Sequence, residues 1–274
     1  MIRIKTLTRH SESKDDIQRP DMNSLTIDFI SAGCIFGGTL LGMLLQKILP
    51  EHHLDTASKD TVKLGAGMLA TLTALVLGLL VSSAKNSFDA MNTGIAQTGA
   101  KIIMLDHVLA NYGPETKEVR EQLRQTVASV IERIWPEKKS GLGGLRAVES
   151  LNGAETLQGK LRELSPKNDS QKSLLGQASQ ISSDVSQTRL LLMEQQQNTL
   201  PPTFLVLLIF WLTGLFISFG LFAPSNSTVL TVLLICALSV SSTIFLVLEM
   251  DRPLDGFIKA SNAPLRKTLE LIGK

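Results

Sequence analysis

Long uncharged stretches alternate with polar ones along the chain, and they set the class of the protein. Residues 29–46, 64–84 and 195–248 contain no Asp, Glu, Lys or Arg. A helix that crosses a bilayer needs about 20 mostly apolar residues. The third stretch is too long for one crossing, and its residues 222–228, FAPSNST, favour a turn. The pattern therefore predicts four transmembrane helices, at 26–49, 63–85, 202–223 and 227–249.

Lys and Arg residues flank the predicted crossings unevenly. With four crossings, both termini and residues 86–200 lie on one side of the membrane. That side has twelve Lys or Arg residues near the crossings, whereas the other has only Lys47, Lys59 and Lys63. Cytoplasmic segments carry the excess of Lys and Arg. We therefore predict a multi-pass protein of the cell inner membrane, with both termini and the middle segment in the cytoplasm.

The polar middle segment has the periodicity of helices. Immediately after the second crossing, a mostly apolar stripe repeats at steps of three and four residues: Phe88, Met91, Ile95, Thr98, Ile102, Leu105, Leu109 and Tyr112. Gly94 and Gly99 weaken this helix, and Gly113-Pro114 ends it. Further helices are predicted at 115–135, 154–165 and about 170–198. We expect the first and last helices of the segment to continue the membrane helices.

These elements predict an all-α integral membrane protein with a helical cytoplasmic domain inserted between the second and third transmembrane helices. The C-terminal segment is amphipathic, and it is expected to lie on the inner membrane surface or on the cytoplasmic bundle. The predicted parts are a cytoplasmic N-terminal segment (1–25), transmembrane helices 1 and 2 (26–85), the cytoplasmic helical domain (86–200), transmembrane helices 3 and 4 (201–249) and the cytoplasmic C-terminal segment (250–274).

Small residues recur in the first two crossings. In lipid, helices associate through close packing, so contact faces collect small residues. The first crossing contains Gly33-xxx-Gly37 and Gly38-xxx-Gly42. In the second crossing every fourth residue along one line is small: Ala66, Ala70, Ala74, Gly78 and Ser82. Thr71, next to Ala70, adds a polar side chain beside this line. Such a line either packs within one subunit, or it lines a pore or packs between subunits.

Charged residues mark the edges of the crossings, where a charge is costly unless it is paired or hydrated. Asp28 suits a helix N-terminus, whereas Glu249 and Asp251 stand at a helix C-terminus, where the helix dipole disfavours anions. We expect these two acids to have a partner, which would be Lys85, Arg252 or a bound cation. Structural pairing and a role in ion binding or gating both remain open for the full set: Asp28, Lys85, Asp89, Glu249, Asp251 and Arg252.

Several functions find no support in the sequence. The net charge of +2 does not indicate a nucleic-acid partner. No motif of a metalloprotease, P-loop or serine hydrolase is present, so neither an enzyme nor a cofactor is predicted. Cys34 and Cys236 lie in apolar stretches, and His52-His53 is interpreted as a surface pair rather than a metal site.

Three stretches resemble the bestrophin-like family of bacterial membrane proteins, whose domain has no established function. They are TLTALVLGLLVSSAKNSFDAM, IIMLDHVLANYGPETKEVR and IFLVLEMDRPLDGFIKASNAPL. The resemblance covers about residues 25 to 270. It implies kinship with bestrophins, which are oligomeric anion channels with four membrane helices and cytoplasmic termini. Calcium-gated animal bestrophins carry a dense acidic run after the fourth helix. Because this chain has only Glu249, Asp251 and Asp255 there, calcium gating is not implied.

Two functions are therefore kept open. The first is an oligomeric bestrophin-like ion channel, selective for anions, in which transmembrane helix 2 lines the pore. It requires a homo-oligomer in the lipid bilayer with a small inorganic ion as partner, because one four-helix subunit can hardly enclose a conduit. The alternative is a membrane-anchored scaffold or stress sensor whose cytoplasmic helical bundle binds a protein.

Overall fold

The computed structural model describes residues 24–50, 56–136, 153–197, 200–224, 226–254 and 256–273. Every regular element in these ranges is helical, as the sequence predicted. A single 3-10 turn, Pro114–Thr116, lies between the second and third α-helices. The α-helices are α1 (Ser24–Ile48), α2 (Thr56–Tyr112), α3 (Lys117–Ile134), α4 (Gly153–Glu163), α5 (Asp169–Gln197), α6 (Pro202–Phe222), α7 (Ser227–Met250) and α8 (Ala263–Leu271).

Four of these helices, α1, α2, α6 and α7, are long and apolar enough to cross a membrane. Their apolar parts match the four predicted crossings. They differ in how much the rest of the subunit covers them. In α1 and α6, 28% of the most apolar window is buried, but in α2 only 11% is. The second crossing is therefore the one whose surface the subunit leaves most exposed.

Helix α2 is one uninterrupted helix of 57 residues, about 85 Å long. It begins at Thr56 rather than at residue 63, and it joins the second predicted crossing to the first helix of the middle segment. No proline occurs between residues 51 and 113, so nothing in this stretch removes a helical hydrogen bond. The helix ends at Tyr112, as predicted, because Gly113 takes φ +137° and Pro114 follows.

Gly94 and Gly99 do not interrupt α2, although the sequence suggested that they weaken it. A Cβ at Gly94 would lie 2.5 Å from Leu192 of α5, and one at Gly99 would lie 2.7 Å from the Thr268 hydroxyl of α8. Both glycines therefore let a neighbouring helix approach α2 closely. Packing against α5 and α8 offsets their low helix propensity.

Two hydrophobic cores share α2. The first lies among the candidate membrane helices and includes Leu80 and Ala84 of α2. The second, which we call the bundle core, lies among α2, α3, α4, α5 and α8. Five members of the predicted stripe on α2 belong to this second core: Met91, Ile95, Ile102, Leu105 and Leu109. Tyr112, at the end of the helix, is also buried.

The C-terminal helix α8 packs on α2 and α3. Its Leu265 and Thr268 are buried against the bundle. Below it, the Asp106 carboxylate accepts two hydrogen bonds of 2.8 Å from the Arg120 guanidinium and a third, of 3.2 Å, from the Gly273 N–H. This buried ion pair fixes the end of the chain to α2.

The expectation that the last bundle helix continues into the third crossing is wrong. Helix α5 ends at Gln197, and α6 begins only at Pro202. Pro201 is extended, with φ −57° and ψ 126°. A proline removes a backbone donor and disfavours helical geometry at the residue before it. The Pro201-Pro202 pair therefore separates the two helices.

Helices α1 and α6 meet through glycines. A Cβ at Gly38 would lie 2.9 Å from the Thr213 carbonyl oxygen, and one at Gly42 would collide with the carbonyl oxygen of Ile217. On the opposite helix, Gly220 leaves the same kind of space, which the sequence did not indicate. The predicted Gly38-xxx-Gly42 pair is thus a packing face.

The other predicted pair, Gly33-xxx-Gly37, packs against none of the residues that the structure describes. A Cβ at Gly33 or Gly37 would have no heavy atom within 4 Å. The two glycine pairs lie on the same helix, α1, but on different faces of it. Only the face that carries Gly38 and Gly42 is turned towards α6.

We expect Gly42→Leu to lower the free energy of unfolding by about 3 kcal/mol, because the side chain would strike the backbone of α6. The matched control is Gly37→Leu, which places the same side chain in open space on the same helix. It should change stability by less than about 1 kcal/mol. Thermal unfolding of both variants in detergent measures the difference, and equal effects would contradict the packing described.

Candidate functional site

The line of small residues in α2 divides into two parts. Ala66 and Ala70 are half-buried and pack against the core of the membrane helices. Ala74, Gly78 and Ser82 are exposed, and a Cβ at Gly78 would have no heavy atom within 4 Å. A step of four residues turns a helix by about 400°, so the line drifts about 40° per step. It therefore leaves the buried side of α2 and reaches the uncovered side.

The uncovered side of α2 carries a longer row of small and polar residues, which we call the α2 stripe. Its members follow each other at steps of three or four, and all are exposed: Gly67, Thr71, Ala74, Gly78, Ser82, Lys85, Asp89, Thr93, Ala96 and Ala100. The stripe is about 50 Å long, so it exceeds the hydrocarbon thickness of about 30 Å. It begins inside the apolar crossing and continues along the bundle.

A second exposed face of α2 lies beside the stripe and consists of large apolar side chains. Within the crossing these are Met68, Leu72, Leu75 and Leu79, each at least half exposed. They stand about 60–120° around the helix from Gly78. The membrane part of α2 therefore presents two different surfaces outside the subunit, one narrow with short polar groups and one bulky and apolar.

Lys85 and Asp89 lie on the stripe where the apolar crossing ends. Their side chains form an ion pair of 2.8 Å along the helix and remain 60% and 54% exposed. Exposed pairs of this kind contribute about 0.3–0.5 kcal/mol. Lys85 therefore pairs with Asp89 of its own helix rather than with Glu249 or Asp251, and its ammonium group remains accessible to solvent.

Asp28 joins α1 to α7. The Ser241 hydroxyl of α7 lies within hydrogen-bonding distance of the Asp28 carboxylate and, at 2.8 Å, of the Asp28 carbonyl oxygen. The Ser31 hydroxyl lies 2.8 Å from the Ser241 hydroxyl. Ser31 and Ser241 are both buried. This polar contact fastens the beginning of the first crossing to the fourth.

Glu249 is 1% exposed, and its partners differ from those the sequence suggested. Its carboxylate accepts hydrogen bonds from the backbone N–H groups of Phe257 and Ile258, the latter at 3.3 Å. Gly256 makes this approach feasible, because a Cβ there would collide with the carboxylate. The negative charge at the end of α7 is therefore held by the chain that turns back beneath it, and neither Lys85 nor Arg252 supplies the contact.

Asp251 also binds a backbone group. Its carboxylate accepts a hydrogen bond of 3.0 Å from the N–H of Leu200, so it ties the end of α7 to the residues before α6. Burial raises the pKa of the Asp251 carboxyl above its ordinary value, while the hydrogen bond and nearby Arg252 act in the opposite direction. Arg252 itself is exposed.

Within the described ranges, no group of three or more His, Cys, Asp or Glu residues could hold a metal ion. The His52-His53 pair lies outside those ranges. The buried pair of Asp106 and Arg120 is the polar feature that sequence reasoning missed. Because Arg120 stands on the next helix, no local spacing connects it to Asp106.

Comparison with solved structures finds the same fold. Two crystal structures of a bacterial bestrophin homologue from Klebsiella pneumoniae, each carrying one substitution, superpose with a TM-score of 0.59. They share 15% and 14% sequence identity with this chain. The first match covers 89% of this chain and 96% of the homologue, and the second covers 90% and 98%. At this identity the likeness shows the fold.

Comparison of sequences gives the family. No curated protein matches the chain significantly. The model of the bestrophin-like domain matches residues 33–265, which include all four candidate membrane helices except the beginning of α1. The resemblance carried by the SAK-x-SFD and EMDRP stretches is thereby confirmed. The chain belongs to the bestrophin-like family.

Proposed function

We propose that the protein is an oligomeric ion channel of the bestrophin type in which copies of α2 surround the pore and the α2 stripe lines it. The observation that carries the proposal is the continuity of the stripe. It runs through the apolar crossing and along the bundle, and all of its members are exposed. The likeness to a bestrophin homologue and the family membership support the same function.

The position of the stripe requires several subunits. It lies on the outer surface of one chain, so a single copy cannot enclose it. A ring of copies that brings the stripes together would place Gly78 and the hydroxyl groups of Thr71 and Ser82 around a central path. Short side chains leave room there for water and an ion. The large apolar face beside the stripe would then contact lipid or the adjacent copy.

Lys85 supports selectivity for a small inorganic anion. In a ring, the Lys85 side chains of the copies would form a circle of ammonium groups at the end of the membrane crossing. Rings of Lys or Arg favour anions in pores. Asp89 lies one turn further along the bundle and so further from the membrane. The exposed ion pair leaves the ammonium accessible to a passing anion.

We also propose an orientation of the protein in the membrane. The bundle core and both chain ends would lie in the cytoplasm and the short loops on the opposite side, in agreement with the excess of Lys and Arg near the bundle. The bundle would then surround a vestibule that continues the pore along the second half of the stripe. The proposed role is conduction.

A cysteine at Gly78 tests the pore lining. In a background carrying Cys34→Ser and Cys236→Ser, which removes both exposed native thiols, Gly78→Cys is treated with a negatively charged methanethiosulfonate reagent. We expect chloride efflux from liposomes to fall about tenfold, because bulk and charge enter the narrow path.

The matched control is Leu79→Cys in the same background. Leu79 is the next residue, is 70% exposed and belongs to the large apolar face. Its modification should change efflux by less than about twofold. Equal inhibition at both positions, or inhibition at Leu79→Cys alone, would place the pore elsewhere.

The second test concerns selectivity. We expect Lys85→Gln to lower the chloride-to-potassium permeability ratio, measured from the reversal potential in a planar bilayer under a KCl gradient. The control is Lys101→Gln, which removes a lysine of the same helix that lies off the stripe and donates a hydrogen bond to Thr188. An unchanged ratio in Lys85→Gln would show that this lysine does not face the ions.

A further inference from the structure

A cavity of about 170 Å³ lies in the bundle core, between α2, α3 and α5, and the described residues leave it partly open. Its walls are mostly apolar. Ile102 and Leu105 of α2 face Val127 and Ile134 of α3 across it. On α2 these residues stand on the side opposite the α2 stripe. The cavity is therefore separate from the proposed pore.

One wall of the cavity is polar. Ser182, Ser186 and Arg189 of α5 line it at steps of four and three residues, so they share a face of that helix. Thr98 and Thr126 add hydroxyl groups from α2 and α3. Arg189 is the one charged side chain among the described residues that line the cavity. All other described residues that line the cavity are apolar.

A ligand for this space needs two properties. It must be small and largely apolar, since an engineered apolar cavity of about 150 Å³ stays dry and binds benzene. It must also carry an anionic group, because a guanidinium in apolar surroundings favours a negative partner. A carboxylate matches the planar guanidinium and can accept two of its hydrogen bonds. The Ser182 hydroxyl lies on the same helix face and can donate a further hydrogen bond, whereas the Ser186 hydroxyl already donates to the Ser182 carbonyl oxygen at 3.0 Å.

Arg189 can hold such a group where it stands. It already interacts with another part of the protein. A guanidinium has five N–H donors, so Arg189 can keep that interaction and also donate hydrogen bonds to a carboxylate. No movement of α5 is needed, because Arg189 lines the cavity in the structure described.

We propose that this cavity is a binding site for a small amphipathic carboxylate, with its apolar part between α2 and α3 and its carboxylate on Arg189. The site depends on the bundle core alone, so it stands whether or not α2 lines a pore. It gives the bundle a ligand of defined chemistry: one negative charge on an apolar body about the size of a benzene ring.

Benzoate and benzamide test the proposal, because they have nearly the same shape and only benzoate is charged. Binding to the full-length protein in detergent is measured by titration calorimetry. We expect one benzoate per chain. We expect Arg189→Met to weaken benzoate binding about ten- to hundredfold, since it removes a charged hydrogen-bonded partner. Benzamide binding should change by less than about threefold in the same variant. Arg162→Met, which removes an exposed arginine on α4, should leave both affinities unchanged.

A second variant fills the space itself. Val130→Phe enlarges a lining residue of α3 and should weaken benzoate and benzamide alike. Failure of the wild-type protein to bind benzoate would overturn the proposal. So would benzoate affinity that Arg189→Met leaves within about threefold of wild type. If Arg189→Met does not fold, undiminished benzoate binding by Val130→Phe overturns it instead.

Discussion

The unbroken course of α2 is the constraint on which the rest of the structure depends. One side of this helix supplies Leu80 and Ala84 to the membrane core and a row of residues from Met91 to Leu109 to the bundle core. Because the faces of a straight helix keep a fixed angle to each other, packing both cores on one side of α2 leaves the other side uncovered by the described residues. The α2 stripe is that uncovered side. The exposed line of small residues and the arrangement of the two cores are therefore consequences of the same continuous helix.

The charges at the membrane edge fall into two groups. Asp28 accepts a hydrogen bond from the Ser241 hydroxyl and Asp251 one from the Leu200 N–H, and both contacts join chain segments far apart in sequence. Glu249 accepts hydrogen bonds from two backbone N–H groups just beyond the end of its own helix. A buried acceptor without such a partner costs about 1–3 kcal/mol, so these contacts determine where the membrane helices end. Lys85 and Asp89 differ, because they are exposed and their only described contact is to each other along the helix. On this contrast we propose that the first group holds the fold and that the second is available to ions.

The sequence predicted the parts of the fold that local pattern encodes. Four crossings follow from uncharged runs, and the end of α2 follows from Gly113-Pro114, where only glycine readily adopts the positive φ. It did not predict that α2 starts at Thr56 or that α5 and α6 are separate, since helix continuity depends on packing as well as propensity. The partners of Glu249 and Asp106 were also missed. Arg120, the partner of Asp106, stands on another helix, and the partners of Glu249 lie in the non-helical chain after α7, so no helical spacing connects these residues.

The central claim is that several copies of α2 surround a common axis. Single-particle reconstruction of the purified protein in lipid nanodiscs tests it most directly, because it gives both the number of copies and the position of α2. We expect a closed ring in which α2 is the innermost membrane helix and Gly78 and Ser82 face the axis. A monomer, or an oligomer in which α2 lies on the lipid-facing periphery, would contradict it.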